Sequence, residues 1–462
     1  MLRHNADLSR SCGPPLERIK ADTKRQSQNT LVFSAEWGQD LSASPPLEPK
    51  CAFCDSTHLG LIMDFGKVAL AGAFVKPEQF AAEPFFPMRL HYCHSCHAVQ
   101  ITDIVPADVM FRDYFYFSSA IGTLREHFKT YAAEVSQRFL EPSRATVLEF
   151  GCNDGVLLRP LADQGIRTVI GVDPASNVVA TIADPRITVI NDFFNEAVAR
   201  RVVQTHGKVD VIMANNVYAH IPDIQGTTRA ISTALGDDGV FMCEIHYLGK
   251  VIDDLQYDMV YHEHLFYYSL LSAMKHFSRH DMVIFDLKQI PIHAGSIRFY
   301  VGKRTGKHAQ SISPAVKALE SSERAAGYDR FETFKRFSTT VTRHRVDLKG
   351  LLQKLRRQGR SIAGYGASGR ANTMIQWCGL DQTDIDYMID DAPAKVGFYT
   401  PASHFPICPS SILTSEKRPD YVLVFAWSFF DEICKRNAAY LSGGGRMILP
   451  LPRISVFPAE PV

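Results

Sequence analysis

The feature that most constrains this chain is a run of short apolar segments separated by helical stretches. From about Thr146 the order is strand TVLEF, a glycine turn, helix, strand TVIGVD, helix, strand ITVI, helix, strand VDVIMANN, helix, strand GVFMCEI. Strands joined through helices lie parallel, with helices covering both faces of the sheet. Ligands of such sheets bind beyond the carboxyl ends of the strands. The pattern restarts with SIAGYG, DYMID, YVLVFAW and RMILPLP, so a second, smaller Rossmann-like α/β unit is expected over 353–462. Leu124, Phe128, Tyr131, Val135 and Phe139 recur every three or four residues and predict an amphipathic helix. Phe331, Phe334, Phe337, Val341, Leu348, Leu351 and Leu355 predict a longer one bridging the two α/β units.

With 462 residues, 46% of them hydrophobic, the chain has the material for several packed cores. Its 50 Lys+Arg against 49 Asp+Glu leave a net charge of +1, which excludes a global field for nucleic acid or an anionic membrane and points to small-molecule partners. No segment approaches the roughly 18 apolar residues of a membrane span, and the amino-terminal stretch lacks a secretory apolar centre. A cytoplasmic protein is expected. Residues 1–45 are polar and read as a mobile extension, 46–118 as a small metal-binding unit, 119–305 as the larger α/β domain and 306–352 as a helical linker. Oligomeric state is not legible.

Cys51-x-x-Cys54 and Cys93-x-x-Cys96 are two knuckles separated by 38 residues. Four thiolates suit tetrahedral zinc and leave no open position, so such a metal would be structural. His58, His94 and His97 lie near enough in sequence to replace one thiol, and a redox couple is the other reading of paired CxxC motifs.

The stretch Glu149-Phe-Gly151-Cys-Asn153-Asp-Gly155 joins the first strand of the large domain to its helix. Gly151 and Gly155 permit a tight turn and close approach of a ligand, and the helix end offers N–H groups to a carboxylate. Asp173 ends the next strand, about 20 residues on, where an acid can accept both hydroxyls of a ribose. Asp192 and Phe193 follow the third strand and could hold an adenine by its amino group and face. Asn215 and Asn216 end the fourth. The spacing E-x-G-x-x-x-G without lysine fits neither a dinucleotide turn nor a phosphate loop, but it fits a ligand with an amino acid end and a nucleoside end. S-adenosylmethionine has that description.

Tyr257-Asp-Met-Val-Tyr261-His262-Glu263-His264 follows the fifth strand, and His220 lies past the fourth, at the same end of the sheet. Imidazole suits proton abstraction near neutral pH, and Glu263 could orient the ring or balance its charge. A metal reading of H-x-H competes, but the spacing lacks the helical H-E-x-x-H that puts both rings on one face.

Taken together, these motifs resemble the three-domain, S-adenosylmethionine-dependent sugar C-methyltransferases that act on nucleotide-activated keto-deoxysugars. The likeness runs from about Cys51 to the end. It includes the paired knuckles, the D-Y-x-Y-x-S-S stretch at 113–119, EFGCNDG, NNVYAHIPD, YDMVYHEHLFYYSL, HAGSIRFYV at 293–301, GYGASGRANT at 364–373 and DDAPAKVGFYTPASHFPI at 390–407. The resemblance implies a zinc-binding first unit, a class I methyltransferase core holding the donor, and a last domain that helps hold a nucleotide-linked keto-sugar. It matches the catalytic histidine to His264, with Tyr261, Glu263 and His220 beside it. Tyr114 and Tyr116 match a substrate-facing tyrosine region, and His293, Ser296 and Gly366 fall in motifs on the substrate side. Ala294-Gly295 stands where a glycine pair is usual, and Ser368-Gly369-Arg370 where Pro/Ala-Lys is frequent. The implied chemistry is removal of a proton α to a ketone by His264, followed by attack of the enolate carbon on the sulfonium methyl.

Arg298 and Lys395 are expected as diphosphate partners, since a guanidinium fork and an ammonium suit those oxygens, with inert surface charges as the other reading. Gly364-x-Gly366-x-x-Gly369, with Asp390 and Asp391 just over 20 residues on, leaves an NAD(P)-dependent or bifunctional ketoreductase as the alternative. A non-catalytic zinc scaffold would bind neither cofactor.

Overall fold

The computed structural model describes residues 49–106, 110, 117–120 and 122–458. The expected extension over 1–45 and both Tyr114 and Tyr116 lie outside the described residues.

Three sheets organise this part of the chain. The first begins with β1 (Leu59–Ala69), β2 (Phe85–Cys93) and β3 (Val99–Ile101), paired antiparallel. The cysteine knuckles sit at its end, one just before β1 and the other closing β2.

The large domain holds β4 (Thr146–Phe150), β5 (Thr168–Val172), β6 (Ile187–Ile190), β7 (Val209–Asn215) and β8 (Leu235–His246), mutually parallel as the alternation requires. β9 (Phe266–Tyr267) departs to the first sheet, where it pairs with β3. The chain returns as β10 (Met282–Ile290) and β11 (Ser296–Lys303), and the sheet reads β10-β11-β8-β7-β4-β5-β6. β11 inserts antiparallel between β10 and β8. This is the class I methyltransferase order: it reverses at β4, whose neighbours β5 and β7 carry connections to opposite sides. Sheets of this topology bind ligands beyond the carboxyl ends of the strands at the reversal, here β4 and β7.

The helix Gly122–Phe139 packs Leu124, Phe128, Tyr131 and Val135 inward, as their spacing predicts. The stretch expected as a helical linker contains two helices, Pro314–Ala326 and Phe331–Arg357. The second buries Phe334, Phe337, Val341, Leu348, Leu352 and Leu355. Beyond it β12 (Ile362–Tyr365), β13 (Tyr387–Asp390), β14 (Ile407–Pro409), β15 (Tyr421–Val424), β16 (Arg446–Leu449) and β17 (Ser455–Phe457) form a sheet in the order β14-β13-β12-β15-β16-β17, parallel except for its last strand. No helix among the described residues is long and apolar enough to cross a membrane.

Candidate active site

The turn after β4 is shaped by backbone conformations that few side chains tolerate. Gly151, Asn153 and Gly155 have φ of +66°, +50° and +75°. A Cβ at Gly151 would lie 2.6 Å from Val217 Cγ2, so any side chain there collides with the loop after β7. Asp173 Oδ2 accepts the Asn153 N–H and Oδ1 the Ala175 N–H, both at 2.9 Å, which ties the end of β5 to the turn. The Ser118 N–H reaches Asn153 Oδ1 at 2.9 Å and the Ser119 N–H reaches Asp154 Oδ2 at 3.1 Å, so the end of the D-Y-x-Y-x-S-S stretch closes over the same loop.

Glu149 is buried, with Oε1 accepting from Asn215 Nδ2 at 2.8 Å. Glu149 Oε2 and Asn215 Oδ1 are buried with no hydrogen-bond partner among the described residues. Buried acceptors of this kind call for a donor, and a cationic group is the strongest one. Burial, with Asp173 and Asp154 adding repulsion, pushes Glu149 up to about 8. Asp192 is exposed beside the partly buried Phe193, whose N–H it accepts at 2.8 Å, at the outer edge past β6. Asn216, at φ +52°, donates its N–H to Glu244 O at 2.7 Å. The expected donor residues therefore gather along one end of the sheet.

The histidines converge there too. The Leu265 N–H donates to Ala219 O at 2.9 Å, which binds the His264 loop to the His220 turn. The His220 and His264 rings stack with centroids 5.0 Å apart, and Tyr261 lies 4.0 Å from His264. His264 Nδ1 is 2.9 Å from Met259 O, so it carries the proton and donates, and Nε2 keeps the basic lone pair. Burial, helped by the neighbouring His220, holds His264 well below the ordinary histidine value, and burial takes His220 down to about 4. Glu263 is partly buried on the same turn. His262 faces the other way, 3.0 Å from Pro87 O in β2.

The expected diphosphate partners fare differently. Arg298 is 1% exposed and engaged within the fold: Nε and Nη2 donate to Glu244 Oε2 at 3.0 and 2.6 Å, Nη1 lies 3.5 Å from Glu134, and the guanidinium covers the Tyr131 ring. The register that sets Arg298 opposite Glu244 thus places its charge inside the fold, where the sequence had pointed to a substrate diphosphate. Ser296 is buried with Oγ donating to Ile292 O at 3.2 Å, and His293 sits at φ +51° in the preceding turn. Ala294, at φ +64°, holds the left-handed conformation that a glycine would adopt without strain. Lys395 donates to Ala367 O and Asp390 Oδ2 at 2.7 and 3.1 Å, so the acid placed to take a ribose is paired with its own lysine. A Cβ at Gly366, φ +93°, would strike Ala426 at 2.7 Å.

Sequence reasoning missed what anchors the histidine loop to the last domain. Asp258, fully buried, accepts from Arg370 Nε at 2.9 Å and from Trp427 Nε1 at 2.8 Å, while Thr373 Oγ1 donates to Val260 O at 2.9 Å. A Cβ at Gly369 would lie 3.8 Å from the Tyr261 ring, so the last domain's glycine-rich turn meets the histidine cluster. Only the acid in the Tyr257–Tyr261 run hinted at this.

The four knuckle sulfurs lie within 4.8 Å of one another, with Cys51–Cys96 at 3.4 Å and Cys54–Cys93 at 3.5 Å. Tetrahedral zinc, with Zn–S near 2.3 Å, needs sulfurs roughly 3.8 Å apart, so the set fits. His97 is engaged elsewhere, with Nδ1 on Tyr92 OH and Nε2 on Lys275, and His58 stacks on His94.

Comparison with known proteins finds three kinds of domain, in the same order, with the last one starting earlier than the stretch expected at 353–462. A zinc binding domain matches 51–111, a methyltransferase domain 124–281 and a C-methyltransferase C-terminal domain 291–452. The C-methyltransferase NovU of Streptomyces niveus is 30% identical over 412 residues, covering 89% of this chain and 97% of that protein. Among solved structures, a SAM-dependent methyltransferase from Anabaena variabilis is 14% identical, covers 38% of this chain and 84% of its own, and has a TM-score of 0.31. Magnesium protoporphyrin IX methyltransferase from Synechocystis, with bound SAM, is 13% identical over 39% and 79% of the two chains, at a TM-score of 0.29. These structural likenesses add nothing to what the strand order already says. The domain matches and the near full-length relative together place the chain in the three-domain, S-adenosylmethionine-dependent C-methyltransferase family, with a structural zinc in its first domain.

Proposed function

We propose that this enzyme methylates a carbon α to the ketone of a nucleotide-activated keto-deoxysugar, with His264 as the general base. The observation that carries the reading is the geometry of His264. Its Nδ1 is fixed by Met259 O, its Nε2 is basic and kept unprotonated by burial, and Tyr261 and His220 adjoin it at the donor end of the sheet.

S-adenosylmethionine supplies an electrophilic methyl group, which a sugar carbon can take only as a carbanion equivalent. The ketone makes that available: loss of an α-proton to His264 Nε2 would give an enolate whose carbon takes the methyl as its bond to sulfur breaks and S-adenosylhomocysteine leaves. The Tyr261 hydroxyl and the His220 ring support the reading as donors toward the developing enolate oxygen. Glu149 and Asn215 would hold the amino acid end of the donor, Asp173 the ribose, and Asp192 with Phe193 the adenine. The last domain, latched through Asp258 to Arg370 and Trp427, would bring the nucleotide sugar to the His264 loop.

A panel of keto-sugar nucleotides with isotopically labelled methyl donor, read by mass analysis, tests the substrate class. Transfer to an oxygen or nitrogen instead of carbon would overturn it. His264→Asn should leave donor affinity unchanged and lower turnover by about 100- to 10,000-fold, the ordinary share of general-base catalysis. Unaltered turnover would remove His264 from the role.

A further inference from the structure

One contact runs from the first cysteine knuckle to β3, and a second to β9, the strand that follows His264. Gln100 in β3 is 1% exposed, and its Oε1 accepts the Ala52 N–H of the Cys51–Cys54 knuckle at 2.9 Å. Its backbone stands opposite Phe266 of β9. Independently, the Phe53 ring of the same knuckle packs on the Phe266 ring with centroids 5.1 Å apart. The next bonds in the seam are Ile101 N–H to Leu265 O at 2.8 Å and Leu265 N–H to Ala219 O at 2.9 Å, and Leu265 is the residue after His264.

β9 is two residues long and pairs with β3 through Val99–Tyr267 and Gln100–Phe266 only. So short a ladder does not fix its own register, and a neighbour must hold it. Tyr268 on its far end bridges to Tyr247 and Leu265 on its near end to Ala219, and on the side of β3 the neighbour is the knuckle, to which four cysteines on one metal give a single geometry.

We infer that Gln100 is a positioning residue, which carries the geometry of the metal-held knuckle across the β3–β9 seam to the ring of His264. The inference rests on the reading of His264 as the base. It gives the zinc unit a part in catalysis at a distance, through backbone placement, with no metal near the reacting carbon.

Gln100→Leu keeps the bulk of the side chain and removes the bond to Ala52. In full-length, zinc-loaded protein we expect bound zinc and donor affinity to match the parent. The kcat should fall by about tenfold to a hundredfold with KM little changed, and the acid limb of the pH profile should move as the burial of His264 changes. Hydrogen exchange, which needs no substrate, should be at least about tenfold faster at the Ile101 and Leu265 amides with Val147–Phe150 unaltered. Unchanged kcat and pH profile in zinc-loaded Gln100→Leu, or unchanged exchange at those two amides, overturns the inference. If no sugar nucleotide proves to be a substrate, the exchange result still decides whether the seam is held by Gln100. Should Gln100→Leu fail to retain zinc, removing and restoring zinc in the parent gives the same reading. Exchange at Ile101 and Leu265 should rise before that of Val147–Phe150, and an equal rise in both overturns it.

Discussion

Glu149, the proposed contact for the donor's ammonium, is a buried carboxyl that would couple ligand binding to pH. In the ligand-free chain its folded value is about 8 against an ordinary 4.5, because burial disfavours the charged form. Between those values the folded state binds more protons than the unfolded, so stability from this group is full below about 4.5 and is lost as pH rises through about 8. In the proposed donor role of Glu149, a cationic ligand would reverse the preference and expel the proton. Donor binding near pH 7 should therefore release up to about one proton, seen as a buffer-dependent heat in calorimetry. Glu149→Gln should abolish that dependence and weaken binding. His264 is shifted in the opposite direction. Its depressed value keeps the ring unprotonated through neutral pH, so with His264 as the proposed base turnover should fall only when the medium is acidified below the ordinary histidine range. An acid limb at or above that range would contradict the burial of the ring.

Among the elements, the pairing of β8 with β11 decides the fate of Arg298. The antiparallel register sets Arg298 against Glu244, and the helix Gly122–Phe139 adds His127, whose Nε2 is 2.8 Å from Glu244 Oε1, and Tyr131. Removing one partner of a buried ion pair leaves an uncompensated charge, a loss typically of about 3–5 kcal/mol. Arg298→Met should thus lower the denaturation midpoint markedly, while the KM for a sugar nucleotide stays near that of the parent in whatever protein remains folded. A selective rise in KM with unchanged stability would restore the diphosphate role. The β3–β9 pairing acts at the same scale: it takes two residues out of the methyltransferase segment and gives them to the zinc sheet, so the sheet is not confined to the stretch expected at 46–118.

Across the whole described region the zinc unit has no core of its own. Cys51, Phe53, Cys93 and Cys96 share an apolar cluster with Leu148, Ile212 and Phe277 of the methyltransferase domain. Ile62, Met63, Met88 and Leu90 of its sheet share another with Phe334 and Val341 of the linker helix and with Ile362 and Met388 of the last domain. Further ties are Gln225 Nε2 to Ala52 O at 2.6 Å and Lys275 Nζ to Ser95 O at 2.8 Å. A metal that holds the knuckles therefore stabilises two neighbouring domains as well. Purified protein should contain about one zinc per chain. Chelation should lower the melting temperature of the methyltransferase transition itself, measured by calorimetry, instead of removing a separate weak transition. A methyltransferase transition indifferent to chelation would mean that the clusters are not cooperative.

The alternation of strands and helices, the glycine turn after β4 and the paired cysteines are local signals. Each is dictated by the period of its own segment or by the chemistry of residues a few positions apart, so they could be read from the order of amino acids alone. The joint order of the longer motifs likewise carried the family. What depended on distant partners could not be read that way. Arg298 looks like a surface cation until the register places it against Glu244, 54 positions away in the chain. Asp258 gains its meaning from Arg370 and Trp427, 112 and 169 positions on. β9 is too short to carry a periodic signal, and it joins the zinc sheet only because the knuckle and β3 are already there. Strand periodicity tells which face a residue takes within its strand, but not which strand lies opposite, and it is the opposite strand that decides whether a charge meets a ligand or a counter-ion.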